Sequence, residues 1–250
     1  MNSKNLPLLN AKNTAVIFDG DDTLWDTMPT YTRIKNKFFV LMAREGFDAT
    51  RVEEFFEQRD IQNVSRWGFA RKRFQISMLE TFKHFHRQAH GHTRNLDKGR
   101  IARLADSVFA QPTRRLPYAE SVLRKLQPWC RLLLLTKGDR GVQKRRLASS
   151  GLEKYFRTVQ IVAHKNEQSF RRLIRTQRLD ASTTWSIGNS LRSDVTPALA
   201  VGMNAIWIPR ATWAYEDVQS HKYNSYLLAH TLRDVPATIM RSIEQARSPR

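Results

Sequence analysis

Five short and almost continuously apolar segments recur along the chain, at residues 14–18, 131–135, 158–162, 183–187 and 205–208. Segments of this length that are rich in β-branched residues are typical of strands buried on both faces of a parallel sheet. The later four are separated by helical patterns of the length that a crossover between parallel strands requires. The pattern therefore predicts an α/β fold, namely a doubly wound, Rossmann-like parallel sheet.

The interval between the first and the second apolar segment departs from this rhythm. Its apolar side chains recur with helical spacing, and the clearest run is Phe74, Met78, Phe82 and Phe85. Such spacing places side chains on one side of a helix. We therefore expect residues 27–116 to form a helical cap domain, inserted into a sheet domain made of residues 1–26 and 117–250.

The composition excludes several classes of protein. Of the 250 residues, 41% are hydrophobic and 26% are charged, which is typical of a folded chain rather than a disordered one. The single cysteine, Cys130, excludes an intramolecular disulfide framework and a cysteine-rich zinc site. No apolar run is long enough to span a membrane, and residues 1–13 lack the apolar stretch of a secretory signal. We expect a cytoplasmic protein with no membrane partner.

The chain is strongly basic, with 42 Lys and Arg against 23 Asp and Glu and a formal net charge of +19. A field of this sign favours anionic partners, such as phosphorylated metabolites, nucleic acid or an anionic membrane surface. The densest basic clusters, at residues 71–73, 144–146 and 171–175, all fall in helical patterns. For each cluster, a solvent-exposed helix face is the simplest expectation.

Three carboxylates follow the first apolar segment, at Asp19, Asp21 and Asp22. Like charges this close disfavour one another's ionised form unless a cation or hydrogen-bond donors compensate. Because side chains alternate along an extended chain, Asp19 and Asp21 point to the same side. One interpretation is a divalent-metal site with one carboxylate free to react. The other is an acidic turn that caps the following helix through Asp22 and Thr23.

Chemically active side chains also follow the next three apolar segments. Thr136 and Lys137 follow the second, Lys165 lies just beyond the third, and the fourth leads to Asn189 and Asp194. Ligands of open α/β sheets bind in the crevice at the carboxyl ends of the strands. We therefore expect acids, a hydroxyl and a lysine to converge on one crevice.

Taken in order, these residues resemble the four signature elements of the haloacid dehalogenase superfamily of hydrolases. The matching positions are Asp19-x-Asp21-x-Thr23, then Thr136, then Lys165, and finally Gly188-Asn189-x-x-x-x-Asp194. The helical insertion lies where helical-cap members of this superfamily carry their cap. The resemblance is specific for the superfamily and says little about the substrate.

The resemblance implies a role for each matched residue. Asp19 would attack phosphorus and form an aspartyl-phosphate, and Asp21 would protonate the leaving alkoxide and then activate water. Thr136 and the backbone N–H of Lys137 would hold phosphoryl oxygens, and Lys165 would neutralise charge between Asp19 and the phosphate. Phosphoryl transfer requires such groups, because it depends on positioning and charge stabilisation.

The resemblance also implies Mg²⁺ as a cofactor, held by Asp19, Asp194 and the backbone carbonyl of Asp21. Mg²⁺ prefers oxygen ligands and keeps several waters, so few protein ligands suffice. The fourth element usually begins Gly-Asp, whereas this chain has Asn189 at the second position. An amide oxygen can coordinate Mg²⁺ but adds no charge. We expect Asp194 to carry the site beside Asn189; a weakened or repurposed enzyme is the alternative.

Asp21 bears on the type of reaction. Release of halide needs no proton, and dehalogenases of the superfamily resemble this pattern without the second aspartate, whereas an ester alkoxide must be protonated. We therefore expect a Mg²⁺-dependent phosphatase acting on a small phosphorylated substrate. Two alternatives stay open: a nucleotide or polynucleotide-end phosphatase, and a non-catalytic subunit that binds phosphate or nucleic acid.

Within the predicted cap, residues 67–74 combine aromatic and basic side chains and resemble a segment that faces the active site in some superfamily members. A cation beside aromatic rings can bind an anionic leaving group. We therefore assign Arg71 and Lys72, together with Gly20 and Lys137, to substrate binding. The alternative is a helix start whose cations lie in water. The oligomeric state stays open.

Overall fold

The structure is a computed structural model that describes residues 14–90, 95–216 and 225–247. In these ranges the strands are β1 (Ala15–Phe18), β2 (Trp25–Asp26), β3 (Arg114–Arg115), β4 (Arg131–Lys137), β5 (Thr158–Val162), β6 (Thr184–Gly188), β7 (Asn204–Trp207) and β8 (Leu227–Leu228). The helices are α1 (Met28–Arg44), α2 (Ala49–Trp67), α3 (Arg71–His90), α4 (Asn95–Asp106), α5 (Ala119–Leu126), α6 (Arg140–Ser150), α7 (Glu167–Gln177), α8 (Thr196–Leu199) and α9 (Val235–Arg247).

Six of the strands form one parallel sheet in the order β5-β4-β1-β6-β7-β8. The five strands predicted from the apolar segments are confirmed, and β8 at the edge is an addition. After β1 the chain first adds β4 and β5 on one side of it and then adds β6, β7 and β8 on the other side. The direction of winding therefore reverses beside β1. The loops after β1, β4 and β6 therefore border the crevice in which such sheets bind ligands.

Alternation along the strands explains why the sheet is covered on both faces. On β1, Val16 and Phe18 pack into one apolar cluster, which includes residues of α5 and α9. Ala15 and Ile17 pack into another, which includes Phe170 of α7. Successive side chains of a strand point to opposite faces, so a strand between two helical layers must be apolar at every position. This confirms the doubly wound α/β fold.

The helices α1 to α4 are built around an apolar cluster of their own. Its buried members include the run that the helical spacing predicted, together with Phe38, Phe56 and Ile101. The antiparallel pair β2 and β3, with Trp25 opposite Arg115, carries the chain out to these helices and back. The boundaries of this part as a separate domain, at residues 27 and 116, stay a prediction.

In the ranges that the structure describes, no helix combines the length and the apolar character needed to cross a membrane.

Candidate active site

Asp19 follows β1 directly and begins a tight turn. Its N–H donates to the carbonyl of Ile187 on the neighbouring strand at 2.9 Å, and the carbonyl of Gly20 accepts from the N–H groups of residues 23–25. A Cβ on Gly20 would lie 2.4 Å from the Trp25 ring and 3.2 Å from Thr136 Oγ1. Gly20 therefore serves the site by letting the turn pack closely against its neighbours.

Asp22 caps the start of helix α1, as one of the two interpretations of the acidic turn predicts. Its carboxylate accepts from the N–H groups of Thr27 and Met28 at 2.8 and 2.9 Å and from the Thr27 hydroxyl. Burial raises the pKa of Asp22 to about 6. Thr23 does not cap the helix, because its hydroxyl lies 3.3 Å from Asn189 Oδ1, to which it donates. The capping interpretation is therefore correct for Asp22 alone.

Lys165 joins two carboxylates from different strands. Its ammonium lies 2.5 Å from Asp19 Oδ1 and 2.6 Å from Asp194 Oδ1, and all three side chains are buried. Burial favours the neutral form of a lysine, but the two carboxylates outweigh it and raise the pKa of Lys165. Burial also raises the pKa of Asp19 to about 7, against the opposing effect of Lys165. The group brings together one residue from each of three strand ends.

Asp194 is held by the loop after β6. Its Oδ2 accepts from the N–H of Ser190 at 2.9 Å, and its backbone carbonyl accepts from the Ser186 hydroxyl at 2.8 Å. A Cβ on Gly188 would lie only 2.2 Å from this carboxylate. Glycine at 188 is therefore the residue that lets the carboxylate fold back over the end of its own strand.

Asn189 lies beside this carboxylate and is buried. Its side-chain oxygen faces the Thr23 hydroxyl, and its backbone carbonyl accepts from the Trp207 indole N–H at 2.8 Å. These contacts tie the loop after β6 to the acidic turn after β1. Asn189 therefore helps to position this loop. A carboxylate at position 189 could accept the same hydrogen bond from the Thr23 hydroxyl.

Thr136 is the last residue but one of β4 and is buried, with 1% of its surface exposed. Its hydroxyl has no hydrogen-bond partner among the described residues. A buried polar atom without a partner is costly, so such atoms commonly mark a place that a ligand or water completes. The hydroxyl is thus placed to contact a bound group.

Lys137, the next residue, directs its side chain to an acid that the sequence analysis missed. Its ammonium lies 2.6 Å from Glu216 Oε1 and 2.6 Å from the Ser193 hydroxyl. Burial favours protonation of Glu216, but Lys137 and the hydroxyls of Ser190 and Ser193 outweigh it and lower the pKa of Glu216. Glu216 lies beyond the last predicted strand, where no pattern distinguished it.

Asp21 is surrounded by donors. The Trp25 indole N–H donates to its Oδ1 at 2.6 Å, while Gln143 and Arg146 of α6 donate to its Oδ2 at 2.8 and 2.6 Å. The expectation that basic cluster 144–146 lies on a solvent-exposed helix face is therefore wrong for Arg146, whose side chain is 14% exposed. The helical rotation between neighbours turns this one member of the cluster inward.

Arg71 and Lys72, which the sequence analysis assigned to substrate binding, do not line the cavity. Both are exposed, and Arg71 lies 3.4 Å from Asp106 on the outside of the helices. Of the three cations at residues 71–73, Arg73 is the one that lines the cavity, and only 3% of it is exposed. Consecutive residues of a helix are rotated by about 100°, so three adjacent cations cannot all face one cavity. The combination of aromatic and basic residues identified the segment that reaches the cavity. The rotation of α3 about its axis determines that Arg73 is the cation that faces inward.

The cavity lies between the strand ends and the helices α1 and α3, and its volume is about 60 Å³. It brings together Asp19, Asp21, Thr136, Lys137, Asn189 and Asp194. Lys165 reaches it through its contacts with Asp19 and Asp194, and Gly20 supports the turn behind it. Its opposite wall consists of Tyr31, Phe69, Arg73, Phe74, Phe109 and Trp213. The cavity combines a polar floor with a largely aromatic roof.

The donor set fits a Mg²⁺ ion. Asp19 and Asp194 both contact one ammonium, so their carboxylates are close enough to share a small cation. All side-chain donors here are oxygens, which Mg²⁺ prefers, and the ion keeps several waters. Among the side chains that the structure describes, no group of three or more His, Cys, Asp or Glu is arranged to hold a metal. A site here would therefore rest on two carboxylates, a backbone carbonyl and water.

One protein-family profile matches most of the chain. The family is described as haloacid dehalogenase-like hydrolase, and the match covers residues 14–202. The chain is also similar to the pyrimidine 5'-nucleotidase YjjG of Escherichia coli (strain K12). The two are 23% identical over 199 residues, which are 77% of this chain and 84% of that enzyme.

Solved structures of low sequence identity share the fold. A haloacid dehalogenase-like family hydrolase from Xanthomonas campestris has a TM-score of 0.76 and 24% identity, covering 94% of this chain and 97% of that one. A putative hydrolase from Bacillus subtilis bound to magnesium has a TM-score of 0.66 and 15% identity, over 91% and 98%. A 2-haloacid dehalogenase from Pseudomonas syringae has a TM-score of 0.56 and 20% identity, over 92% and 99%. At these identities the likeness establishes the fold alone.

Proposed function

The chain belongs to the haloacid dehalogenase-like hydrolases, and from this premise we propose that it is a Mg²⁺-dependent phosphatase of small phosphate monoesters. One observation carries the proposal. Asp19, Asp21 and Thr136 line one cavity, and the Thr136 hydroxyl finds no hydrogen-bond partner in the part of the chain that the structure describes. A dehalogenase needs a nucleophile but no proton donor, whereas an ester hydrolase needs both.

The residues of the chain divide the proposed reaction between them. The Asp19 carboxylate forms a bond to phosphorus while the bond from phosphorus to the ester oxygen breaks. Asp21 gives its proton to the departing alkoxide and then takes one from the water that cleaves the aspartyl-phosphate. A carboxylate nucleophile thereby splits one slow hydrolysis into two easier steps.

Several contacts position the phosphoryl group in this proposal. The Thr136 hydroxyl donates to a phosphoryl oxygen, and the Lys165 ammonium keeps Asp19 in place while offsetting negative charge. For Asp21 to transfer a proton, the leaving oxygen must replace one of the donors now on its carboxylate, among them Gln143 and Arg146. The approach of the substrate and the release of one of these contacts are therefore coupled.

Asp19, Asp194 and the backbone carbonyl of Asp21 would hold Mg²⁺, with Asn189 beside them. When bound, the ion supplies positive charge that offsets the repulsion between the nucleophile and the phosphoryl oxygens.

Hydrolysis of small phosphate monoesters such as propyl phosphate, measured by release of inorganic phosphate and compared with p-nitrophenyl phosphate, tests the proposal. We expect turnover that requires Mg²⁺ and is abolished by Asp19→Asn, because an amide is not a nucleophile. The matched control is Asp106→Asn, which changes an aspartate on the outside of the helices and keeps activity. Release of chloride from 2-chloropropionate without any phosphatase activity would identify a dehalogenase instead.

A nucleotide phosphatase is the second candidate, and the similarity to a pyrimidine 5'-nucleotidase favours it. Comparison of nucleoside 5'-monophosphates with three-carbon phosphate esters separates the two. Faster turnover of the nucleotides would select the second candidate. The possible binding of nucleic acid by the basic surface is tested by a mobility shift at several salt concentrations, because phosphate contacts weaken steeply with salt.

A further inference from the structure

Arg73 is a buried cation in the roof of the cavity. Its Nη1 donates to Asp60, which also accepts from the Ser77 hydroxyl at 2.6 Å. Its Nε has no hydrogen-bond partner among the described residues. A guanidinium has five N–H donors in a fixed plane, and a buried donor without an acceptor is costly. The unpaired N–H therefore indicates an acceptor that is supplied by a ligand.

Aromatic rings hold this guanidinium at the edge of the cavity. Its Cζ lies 4.9 Å from the centre of the Trp213 ring and 5.4 Å from that of Phe69. Both rings line the cavity beside Arg73, as does Phe74. An acceptor that reaches Nε must therefore belong to a group that is compact enough to lie among these rings.

The charges around the cavity oppose a second anion there. The cations that line it are Arg73 and Lys137, and each already has a carboxylate partner, in Asp60 and Glu216. The acids that line it are Asp19, Asp21, Asp22, Asp139, Asp194 and Glu216. An anion brought into a buried site without a free counter-charge loses hydration that nothing replaces. Although the whole chain carries a net charge of +19, the two cations that line the cavity therefore have no unpaired positive charge to offer a second anion.

The size of the cavity limits the leaving group. A volume of about 60 Å³ is room for about five water molecules, since each water needs about 10–15 Å³ of cavity volume. A phosphoryl group occupies most of them. The space that remains next to Arg73 is small, which favours a leaving group of few atoms over a bulky one.

We propose that Arg73 Nε–H binds an uncharged acceptor oxygen of the leaving group, so that the preferred substrates are phosphate monoesters of small neutral alcohols carrying a further hydroxyl or carbonyl. Esters whose leaving group carries a carboxylate or a second phosphate are disfavoured. The inference rests on the proposed phosphatase function and makes Arg73 a specificity residue of that site. Asp60 keeps the guanidinium charge compensated, and this compensation selects a neutral acceptor over an anion.

Three esters with the same carbon skeleton test this assignment. Propyl phosphate has no further acceptor, glycerol 3-phosphate has neutral acceptors, and 3-phosphoglycerate has a carboxylate. We expect kcat/KM of the wild type to be highest for glycerol 3-phosphate, about tenfold or more above propyl phosphate, as a hydrogen bond to a charged donor provides. The value for 3-phosphoglycerate is expected to be lower than that for glycerol 3-phosphate.

Matched variants assign the preference to Arg73. Arg73→Lys keeps the charge beside Asp60 but lacks the Nε–H, and we expect it to lower the ratio of glycerol 3-phosphate to propyl phosphate towards one. Arg71→Lys makes the same change two residues away, on an exposed side chain outside the cavity, and is expected to leave the ratio as it is. Thermal unfolding of each variant shows whether it is folded.

Asp60→Asn provides an independent measurement. It leaves the charge of Arg73 uncompensated, so we expect turnover of 3-phosphoglycerate to rise relative to glycerol 3-phosphate. An unchanged ester ratio in Arg73→Lys, or a wild type that prefers 3-phosphoglycerate, overturns the inference while the phosphatase proposal stands. A wild type that hydrolyses neither these esters nor p-nitrophenyl phosphate overturns both.

Discussion

The floor and the roof of the cavity place their charged side chains by different rules. The floor is built from strand ends, and its Asp19, Lys165 and Asp194 meet within hydrogen-bond distance although they are far apart in the chain. The charged residue of the roof lies on helix α3, where Arg73 faces the cavity while its neighbours Arg71 and Lys72 face solvent. A strand end is a fixed place at one edge of a sheet, whereas a helical position depends on the phase of the helix. We therefore expect the floor to determine the chemistry and the roof to determine the choice of substrate.

Lys165→Met is expected to have the largest effect and to test the floor. It removes the cation between Asp19 and Asp194, and we expect kcat to fall about a thousandfold, as for the loss of a preorganised charge-stabilising group. The fall should be the same for every ester. Lys154→Met, at an exposed lysine, is the control and keeps full activity. A loss confined to some of the esters would contradict the division between floor and roof.

Two matched substitutions compare the packing of helices α1 to α4 with that of the sheet. Met78→Ala lies in α3 and Leu133→Ala lies in β4, and both side chains are fully buried. Each is expected to lower the free energy of unfolding by about 2–5 kcal/mol, measured with urea, because each leaves a cavity. If the helices form a domain of their own, Met78→Ala should shift an early transition and leave a later one in place. A single shared transition in both variants would argue against separate domains.

Gly188→Ala tests how closely the floor is packed. The added Cβ would lie 2.2 Å from the Asp194 carboxylate, so the carboxylate must move. We expect the Mg²⁺ concentration for half-maximal activity to rise about tenfold to a hundredfold, as for disturbed support of a metal ligand. Gly99→Ala, in α4, should leave it unchanged, because an added Cβ there would approach only the end of the Arg103 side chain, at 3.9 Å. An unaltered Mg²⁺ requirement in Gly188→Ala would remove Asp194 from the proposed metal site.

Cys130 provides the mildest test, since it has no part in the proposed chemistry. It lies in the apolar cluster under the sheet, and burial raises the pKa of its thiol to about 12. The thiolate is the reactive form, so we expect Ellman's reagent at pH 8 to modify the native protein very slowly and the urea-unfolded protein at once. Rapid modification without denaturant would show that the sheet opens more readily than its packing suggests.

The whole chain is basic whereas its cavity is acidic, so composition does not predict the charge at the site. The charge of +19 predicts anionic partners for the whole chain, yet six acids and two cations line the cavity. Composition counts charges without regard to direction, and the cations of the cavity are all matched by acids brought in by the fold. Glu216 is the clearest example, because it lies in a loop after the last predicted strand and meets Lys137 only in three dimensions.

The sequence by itself determined the doubly wound sheet, the helical insertion and the convergence of Asp19, Asp21, Thr136, Lys165 and Asp194. It could do so because apolar runs mark buried strands, and parallel strands present their carboxyl ends at one edge. Only the tertiary structure decided that Arg73 rather than Arg71 or Lys72 faces the cavity, that Arg146 contacts Asp21, and that Glu216 neutralises Lys137. Those contacts depend on helix phase and loop placement, which arise from packing between distant segments and leave no periodic pattern in the chain.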